Sequence, residues 1–447
     1  MLDLSKRRLN RTIMKLAWPA ILENLMHTSV YIVDSIFIGS LGTLAFAAVG
    51  QSSMILFTVV FVFYGIGVAT GALVARNLGR NDRKSASEAA SQGIIVGTSI
   101  GLVVAALGVI LGKDIMVLLG TAPDVVERAQ EYMPIVFVFS VLRLFIYTSS
   151  GIMRAAGDTR TPMWITGIMN LYNIFADWVL IFGIGPFPEL GITGAAIATG
   201  TAYVLGACLL IFKLFQQNAI LKLDIKDFRK LKPDYIRTIV RIALPNVGEQ
   251  MVMQSAYFSF IWIVTGLGTS ALTAHFMTIR VEMVSFMPVF GLSMAVSTVV
   301  GQSLGAERPE IAELAVKKAT RIGLAAMSVL GLIFVVFPEA LVGIYSPAPD
   351  VFNLAVLCVR IAALELPTSA LLMIYTGAMR GAGDTLSPML ISIFGAIFLR
   401  IGMMYFIVIG LGWGLPGVWY GTALDWAVRM VIAYFLFRRG RWKRVVL

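Results

Sequence analysis

Four polar side chains within apolar stretches of the sequence could together bind a small cation: Asp34, Asn173, Asp177 and Thr199. Ionisable side chains inside membrane-spanning helices are costly, and they often mark ion pathways. Asn173 precedes Asp177 by four residues, so the two side chains would share one face of a helix. Burial and mutual repulsion of two carboxylates favour capture of a proton or a sodium ion. The alternative is that these groups only hydrogen-bond the helices to one another.

The chain as a whole has the composition of a protein that crosses a membrane many times. Of its 447 residues, 58% are hydrophobic and 14% are charged, and its mean hydropathy is +0.84. Such a sequence predicts an all-α membrane protein. Twelve apolar segments each exceed the roughly 20 residues that span a bilayer as a helix. In order, these segments are residues 13–38, 46–75, 88–112, 126–152, 161–184, 191–215, 238–264, 271–302, 311–337, 351–378, 387–410 and 415–437.

The sequence repeats itself at a distance of 226 residues. Pro19 is repeated as Pro245, and Glu23 is repeated as Glu249. The longest repeated motif is Met153-Arg154-x-x-Gly157-Asp158-Thr159-x-x-Pro162, which returns as Met379-Arg380-x-x-Gly383-Asp384-Thr385-x-x-Pro388. Six spans per copy is an even number, so both copies enter the membrane with the same orientation, as parallel repeats.

The repeat predicts two six-helix lobes joined by a linker. Residues 1–215 would form the amino-terminal lobe, 216–236 an amphipathic cytoplasmic linker, and 237–447 the carboxy-terminal lobe. Two such bundles facing each other would enclose a central cleft, the architecture of a carrier that works by alternating access.

The net charge of +11 follows the topology of the chain and does not indicate a nucleic-acid partner. Basic residues precede segment 1, follow segments 2, 4, 6, 8 and 10, and end the chain, whereas the alternate loops lack them. Lys113, after segment 3, is the exception. This pattern predicts a multi-pass protein of the cell membrane with both termini in the cytoplasm. No cleavable signal peptide is expected at the start of the chain.

The two acids belong to the first repeat alone, because Phe260 stands at the position of Asp34 and Met403 at that of Asp177. At the rise of a helix, Asp34 lies ~6 Å and Asp177 ~9 Å from the outer ends of their segments, and Thr199 lies ~12 Å from its own. The four polar residues therefore share one layer of the outer half of the bilayer. Arg143 lies ~25 Å deep in segment 4, too far to neutralise either acid.

Charged residues in the second half have mixed signs, which is more typical of internal ion pairs than of an ion site. These residues are Glu249, Arg280, Glu282, Glu365, Arg400 and Asp425. Pro19 and Pro245 remove a helix hydrogen bond each, so they could bend segments 1 and 7. Bending of segment 1 would move Asp34 and link cation binding to the shape of the cleft.

Flexible methionines and aromatic rings suit varied apolar cations, and several could line a drug cleft. The candidates are Met26, Phe61, Tyr147, Tyr257 and Met287, each of which could instead be a packing residue.

No sequence feature predicts an enzyme or a metal centre. The two histidines, His27 and His275, have no metal-ligand spacing around them. The stretch Gly97-Thr98-Ser99-Ile100-Gly101 matches the Gly-x-Ser-x-Gly nucleophile pattern but lies inside segment 3, where small residues are typical of close helix packing. No phosphate-binding loop of the Gly-x-x-x-x-Gly-Lys type is present.

The chain resembles the multidrug and toxic compound extrusion (MATE) transporters over nearly its whole length. The resemblance rests on Pro19 with Asp34 fifteen residues later, Asn173-x-x-x-Asp177, Gly194-Ala195-Ala196-x-Ala198-Thr199 and the doubled Met-Arg-x-x-Gly-Asp-Thr-x-x-Pro motif. It implies a twelve-helix antiporter that expels organic cations and related drugs. In this family Asp34, Asn173, Asp177 and Thr199 look like the first-lobe cation site of DinF-like members.

The resemblance also implies differences from the NorM branch, whose members carry a second-lobe Glu in segment 7 and an Asp in segment 10. Here Glu249 lies about one turn early, and segment 10 offers Glu365. These departures favour proton coupling in the first lobe, with sodium as the other coupling ion. We expect a monomer with no other cofactor.

Three other classes of protein share some of these features. A major-facilitator carrier is also built from two parallel six-helix halves, and a lipid-linked saccharide flippase would have a broad cationic cleft. A channel or receptor would lack the strict duplication with buried acids. Drug efflux that saturates and stops when an ion gradient collapses would distinguish an antiporter from a channel.

Overall fold

The computed structural model describes residues 2, 4–217, 220–445 and 447, and every regular element in these residues is a helix. The first repeat contains α1 (Leu9–Ser40), α2 (Thr43–Phe63), α3 (Gly65–Gly79), α4 (Arg83–Leu118), α5 (Pro123–Ala129), α6 (Met133–Val138), α7 (Ser140–Ala155), α8 (Arg160–Phe182) and α9 (Gly191–Phe215). After the short α10 (Ile225–Arg229), the second repeat contains α11 (Pro233–Thr265), α12 (Thr269–Gly305), α13 (Pro309–Val336), α14 (Pro338–Gly343), α15 (Pro349–Ala362), α16 (Glu365–Gly381), α17 (Leu386–Phe394) and α18 (Gly414–Arg439). The π-helical runs Gly395–Met403 and Phe406–Gly410 follow α17, and a 3-10 turn, Arg441–Arg444, follows α18.

Eight helical stretches of the described chain are long and apolar enough to cross a membrane. They are α2–α3, α4, α6–α7, α8, α9, α12, α13 and the stretch from α17 through its π-helical runs. A ninth is the pair α15–α16, which is bent by 47° between Ala362 and Glu365. The helices α1, α11 and α18, with 32, 33 and 26 residues, account for the remaining three predicted segments.

Several helices differ from the predicted segments in their interior. The α-helical pattern is interrupted at Tyr64 in segment 2 and near Phe139 in segment 4. Helix α4 continues through Lys113 and Asp114, which the sequence pattern had placed in a loop. Hydrophobic periodicity predicts helical spans, but it does not reveal where a single turn is interrupted inside an apolar run.

Pro19 and Pro245 both lie inside continuous helices, α1 and α11. The possible bending points are therefore positions within an intact helix and not breaks between two helices. A proline inside a helix still lacks one backbone hydrogen bond, so these turns are weaker than their neighbours.

The chain forms two compact units that divide α1 and α11 between them. One unit contains residues 22–243, and the other contains residues 2–21 and 244–447. Each unit thus includes the first part of the helix that opens the other repeat. In the second unit, Leu9, Ile13, Leu16 and Ala17 are fully or almost fully buried in the main apolar core.

In the first unit, α8 and α9 pack closely through glycine. A Cβ atom on Gly194 would lie 2.5 Å from the carbonyl oxygen of Leu180, so only glycine permits this approach. A Cβ on Gly206 would lie 2.1 Å from the sulfur of Met169. This contact holds α9 against α8, the helix that contains Asp177.

The doubled motif makes the same ion pair in each unit. Arg154 Nη1 donates to Glu23 Oε1 at 2.8 Å, and Arg380 Nη2 donates to Glu249 Oε1 at 2.7 Å. Since both residues of one pair are 226 positions from their counterparts, the repeated sequence encodes a repeated contact. Glu249 also accepts a hydrogen bond from the hydroxyl of Ser392 at 2.7 Å.

The remainder of the motif starts the next helix in each unit. Asp158 accepts hydrogen bonds from the backbone N–H and hydroxyl of Thr161, at 3.0 and 2.7 Å. Asp384 accepts the corresponding bonds from Ser387, at 3.1 and 2.7 Å. The preceding Gly157 and Gly383 have φ of 94° and 88°. Residues with a Cβ atom rarely adopt such a positive φ, so glycine is favoured at both positions.

Candidate functional site

Three of the four residues of the predicted cation site line one small cavity in the first unit, and the fourth lies beside it. The cavity has a volume of about 60 Å³ and is lined by Asp34 of α1, Asp177 of α8 and Thr199 of α9. Asn173 lies one turn before Asp177 on α8 and is buried. Ser53 and Tyr132 also line this cavity.

The carboxyl groups of Asp34 and Asp177 are near enough to interact directly, and the Asn173 amide lies beside Asp177. Asp177 is only 1% exposed, whereas Asp34 is half-buried. Two carboxylates in contact repel each other when both are ionised, and a proton or a cation between them removes that repulsion.

Hydrogen bonding within the described chain leaves these groups incomplete. Asp34 Oδ1, both carboxyl oxygens of Asp177 and Asn173 Nδ2 are buried atoms without a hydrogen-bond partner of normal geometry. No lysine or arginine of the described residues forms an ion pair with either acid. The acids are therefore not locked against a base, and their free oxygens can accept a small cation or a proton.

Two tyrosines that were not predicted from the sequence complete the surroundings of the acids. Tyr132 lies within electrostatic range of Asp34 and Asp177, and its hydroxyl is 3.4 Å from that of Ser53. Tyr203 of α9 lies within range of Asp34. Tyr132 comes six residues after the start of segment 4, about 9 Å below its outer end at the rise of a helix. The depth argument used for the acids could thus have found Tyr132.

An aromatic row in the first unit contains two of the residues predicted to line a drug cleft. Phe61 stacks on Tyr64 at 6.1 Å between ring centroids, and Tyr64 packs edge-on against Tyr147 at 6.0 Å. His27 lies 6.4 Å from Tyr147. Met26, the third first-repeat candidate, lies near Gly167, and its carbonyl oxygen accepts a hydrogen bond from Asn170 at 2.7 Å.

The two second-repeat candidates for the cleft have different environments. Tyr257 is 39% exposed and packs against Phe258, with 6.1 Å between the ring centroids. Met287 of α12 is buried. Met287 therefore has the environment of a packing residue.

The charged residues of the second unit lie in two groups. Glu249 pairs with Arg380 as described, whereas Glu282 and Glu365 contact each other and lie near Arg400. Arg280 is exposed and is not among the groups that act on either of these acids.

Asp425 and Arg429 of α18 complete the group of Glu282, Glu365 and Arg400. Arg400 Nη2 lies 3.2 Å from Asp425 Oδ2, and Arg429 Nη2 donates to the same oxygen. The ion pairs expected from mixed signs therefore exist, but they leave a surplus. Three carboxyl groups face two guanidinium groups, and both oxygens of Glu365 are buried without a hydrogen-bond partner among the described residues.

The second unit has no counterpart of the cavity acids at the repeated positions. Phe260, the counterpart of Asp34, is buried and packs on His275 with 4.8 Å between the ring centroids. His275 also lies 5.4 Å from the ring of Trp419. Where the first unit has a carboxyl group, the second has an aromatic cluster.

Comparison with known proteins identifies the family. The sequence profile of the MatE family matches twice, at residues 19–179 and 245–406. The probable multidrug resistance protein NorM of Thermotoga maritima is 30% identical over 98% of this chain and 94% of its own. The two profile matches start 226 residues apart, as the internal repeat predicts.

Two solved structures have the same fold, although their sequences are only 22% identical to this one. A MATE transporter in its bent conformation superposes with a TM-score of 0.91, covering 99% of this chain and 97% of its own. A MOP superfamily transporter from Pyrococcus furiosus superposes with a TM-score of 0.89, covering 97% and 96%. The predicted all-α, twelve-helix fold is confirmed, and the DinF-like branch stays a prediction. The chain belongs to the MatE family and is a multi-pass membrane transporter.

Proposed function

We propose that this protein is a cation-coupled multidrug efflux antiporter, which exports organic cations and related drugs in exchange for protons by alternating access. Sodium is the alternative coupling ion. The observation that carries the proposal is the contact between Asp34 and Asp177, in a polar cavity and without a basic partner among the described residues. In the proposed cycle a proton neutralises this pair, and α1 changes shape near Pro19 as the drug leaves.

The size of the cavity supports an ion as its occupant. Its volume is about 60 Å³, whereas one water molecule needs about 10–15 Å³ of such volume. A few waters or a small cation fit this space, and an aromatic drug does not. Thr199 and Asn173 would supply oxygen atoms to sodium, and the same groups would hydrogen-bond a protonated acid.

The multidrug part of the proposal rests on relatives and on the aromatic row. The Thermotoga maritima relative is described as a probable multidrug resistance protein. Aromatic rings such as Phe61, Tyr64 and Tyr147, which pack against one another in this row, attract flat cations through their faces. For the Pyrococcus furiosus transporter, reversed polarity of the binding pocket suggests a different function.

The proposed location is the cell membrane, with both termini in the cytoplasm and the protein acting as a monomer. The location of the termini rests on the lysine and arginine residues that follow segments 2, 4, 6, 8 and 10.

The test is ethidium transport in inverted membrane vesicles, driven by a proton gradient in one arm and by a sodium gradient in the other. We expect Asp34→Asn to reduce coupled transport to the background of empty vesicles, because an amide cannot bind and release the proton. The matched control is Asp114→Asn, an exposed aspartate of α4, which should transport as the unmodified protein does.

Three results would change the proposal. Full transport by Asp34→Asn with normal expression would reject the assignment of the acid pair. Transport driven only by the sodium gradient would identify sodium, and not the proton, as the coupling ion. Failure to move ethidium, together with movement of a lipid-linked saccharide, would favour a flippase instead.

A further inference from the structure

The linker between the two repeats presents apolar side chains on its outer surface. Ile220, Ile225 and Leu231 are 45%, 62% and 66% exposed, and α10 contains no buried residue. The linker joins α9 to α11, so these side chains lie where two long helices reach the membrane surface. An exposed apolar residue alone indicates no partner. The charges around these three residues therefore decide what could cover them.

Four basic side chains lie among the apolar residues and remain available to a partner. All four are exposed, and none makes an ion pair or a side-chain hydrogen bond within the part of the chain that the structure describes: Lys222, Lys226, Arg229 and Lys230. The two acids of this stretch are used within the chain. Asp224 accepts a hydrogen bond from the backbone N–H of Lys226 at 2.9 Å, and Asp227 accepts one from the hydroxyl of Ser87 at 2.8 Å.

The inner side of the linker is attached to the first unit. Leu221 and Leu223 are 5% and 1% exposed, and the N–H of Leu223 donates to the carbonyl oxygen of Leu214 at 3.0 Å. Phe228 packs on Phe215, with 5.9 Å between the ring centroids. Buried and exposed side chains alternate at the start of the linker. The exposed apolar and basic residues therefore belong to one fixed surface, here called the linker surface.

We propose that the linker surface binds anionic phospholipids of the cytoplasmic leaflet. The four basic side chains contact the headgroup phosphates, and Ile220, Ile225 and Leu231 insert beside the acyl chains. Basic residues interleaved with exposed apolar ones are typical of segments that lie in the interface of an anionic membrane. Each lysine or arginine near such a surface strengthens the attraction about fivefold.

A phospholipid fits both features of the linker surface. A nucleic acid would use its charges but not its apolar side chains, and a neutral lipid would use the apolar side chains but not the charges. The choice of leaflet rests on the proposed topology, in which basic loops face the cytoplasm. The lipid chemistry follows from the linker alone and does not depend on what the protein transports.

The test is protection of the linker from chymotrypsin, which cleaves after Phe228 and Leu231. The purified full chain is placed in detergent micelles that contain either phosphatidylcholine or phosphatidylglycerol, and cleavage at each site is followed by mass spectrometry. We expect phosphatidylglycerol to slow cleavage of the linker by about fivefold or more relative to phosphatidylcholine. Cleavage after Tyr345, in a loop without basic residues, reports on the protease itself and should be equal in both lipids.

A variant without the four charges should be cleaved at the same rate in both lipids: Lys222→Gln, Lys226→Gln, Arg229→Gln and Lys230→Gln. The matched control removes the same charge from four exposed basic residues of the second unit and should keep the protection: Arg7→Gln, Lys15→Gln, Lys317→Gln and Arg321→Gln. Salt at about 0.5 M should also abolish protection of the unmodified protein, because it shortens the screening length to about 4 Å.

Three results would overturn the inference. These are equal cleavage of the unmodified linker in the two lipids, an equal loss of protection in the control variant, and protection that survives high salt. If removal of the four charges speeds cleavage in phosphatidylcholine as well, the substitutions have loosened the linker, and the salt experiment on the unmodified protein decides. Protection by phosphatidylglycerol that salt removes supports lipid binding, whatever the outcome of the transport assay.

Discussion

At the scale of single residues, the contacts of an acid decide its role more than its depth in the membrane. Glu23 and Glu249 are buried acids in equivalent positions, and each is held by the arginine of the repeated motif. Asp34 and Asp177 form no ion pair with a base in the part of the chain that the structure describes, and the second repeat has no acid at either position. The repeat of the sequence distinguishes these two pairs of acids, because a contact that both units share requires both of its residues to be repeated.

The surplus carboxyl group in the second unit leads to a prediction about stability. Glu365→Gln should keep or raise the melting temperature in detergent, because it removes one of three acids that share two guanidinium groups. Asp425→Asn should lower it, since Arg400 and Arg429 would then face each other without their shared carboxylate. Breaking a buried ion pair costs about 3–5 kcal/mol.

These two variants are matched, because each replaces one buried acid of the same group by its amide. Melting curves of both variants, recorded at the same pH as the unmodified protein, provide the comparison. A larger loss for Glu365→Gln than for Asp425→Asn would contradict this account of the group.

At the scale of helices, the segment after α17 is the element that the sequence did not predict. Its apolar run predicted an ordinary helix, but Gly395–Met403 and Phe406–Gly410 have the wider π-helical turn. Arg400 lies in this run, and π-helical turns are frequent at functional sites. The family profile match in the second repeat, residues 245–406, is also one residue longer than that in the first, residues 19–179.

Gly395 makes room for Arg429, and this leads to a prediction about the element. A Cβ atom at Gly395 would lie 2.0 Å from Cδ of Arg429, whose guanidinium is held by Asp425. Gly395→Ala should therefore destabilise the protein by about 1–3 kcal/mol, the usual cost of overpacking.

The control variant lies in the same π-helical run. A Cβ atom at Gly402 would come no closer than 3.8 Å to the carbonyl oxygen of Ile397, an ordinary contact. Thermal unfolding of both alanine variants in detergent separates the two positions. Equal losses of stability in the two variants would show that the π-helical backbone requires glycine, and not the space that Arg429 occupies.

At the scale of the whole molecule, the linker between the repeats is held by one buried glutamine. Gln92 Nε2 donates to the carbonyl oxygens of Asp227 and Lys230, at 3.2 and 3.0 Å, and its Oε1 accepts from the N–H of Lys232 at 3.1 Å. Lys232 Nζ also pairs with Glu88 at 2.5 Å. The hydrogen bond to Glu88 raises the pKa of Lys232, so this contact stabilises the linker at neutral pH and is lost as the pH rises through that pKa.

Removing this glutamine should expose the linker to protease. We predict that Gln92→Ala increases the rate of trypsin cleavage after Lys226, Arg229 and Lys230 several-fold, because three hydrogen bonds to the linker backbone are lost. Gln51→Ala, which removes a single bond to Thr121, is the control and should leave the rate unchanged. Equal cleavage of both variants would show that other contacts hold the linker.

Sequence alone was sufficient for the fold class, the repeat and the family, because each depends on hydrophobicity or spacing along the chain. It also named the acids that meet in the first-unit cavity, since depth follows from helix rise. It could not predict which second-unit charges touch, because Glu282, Glu365 and Arg400 come from three elements whose relative rotation is not encoded locally. The division of α1 between two units was hidden for the same reason.

That division has a consequence for the origin of the protein. A single repeat on its own would lack the helix portion that completes its core, since residues 2–21 complete one unit and residues up to 243 complete the other. Two separate copies of one repeat would therefore fold only as a domain-swapped dimer, in which each copy supplies the first part of its opening helix to the other. In the present chain, one polypeptide supplies both portions.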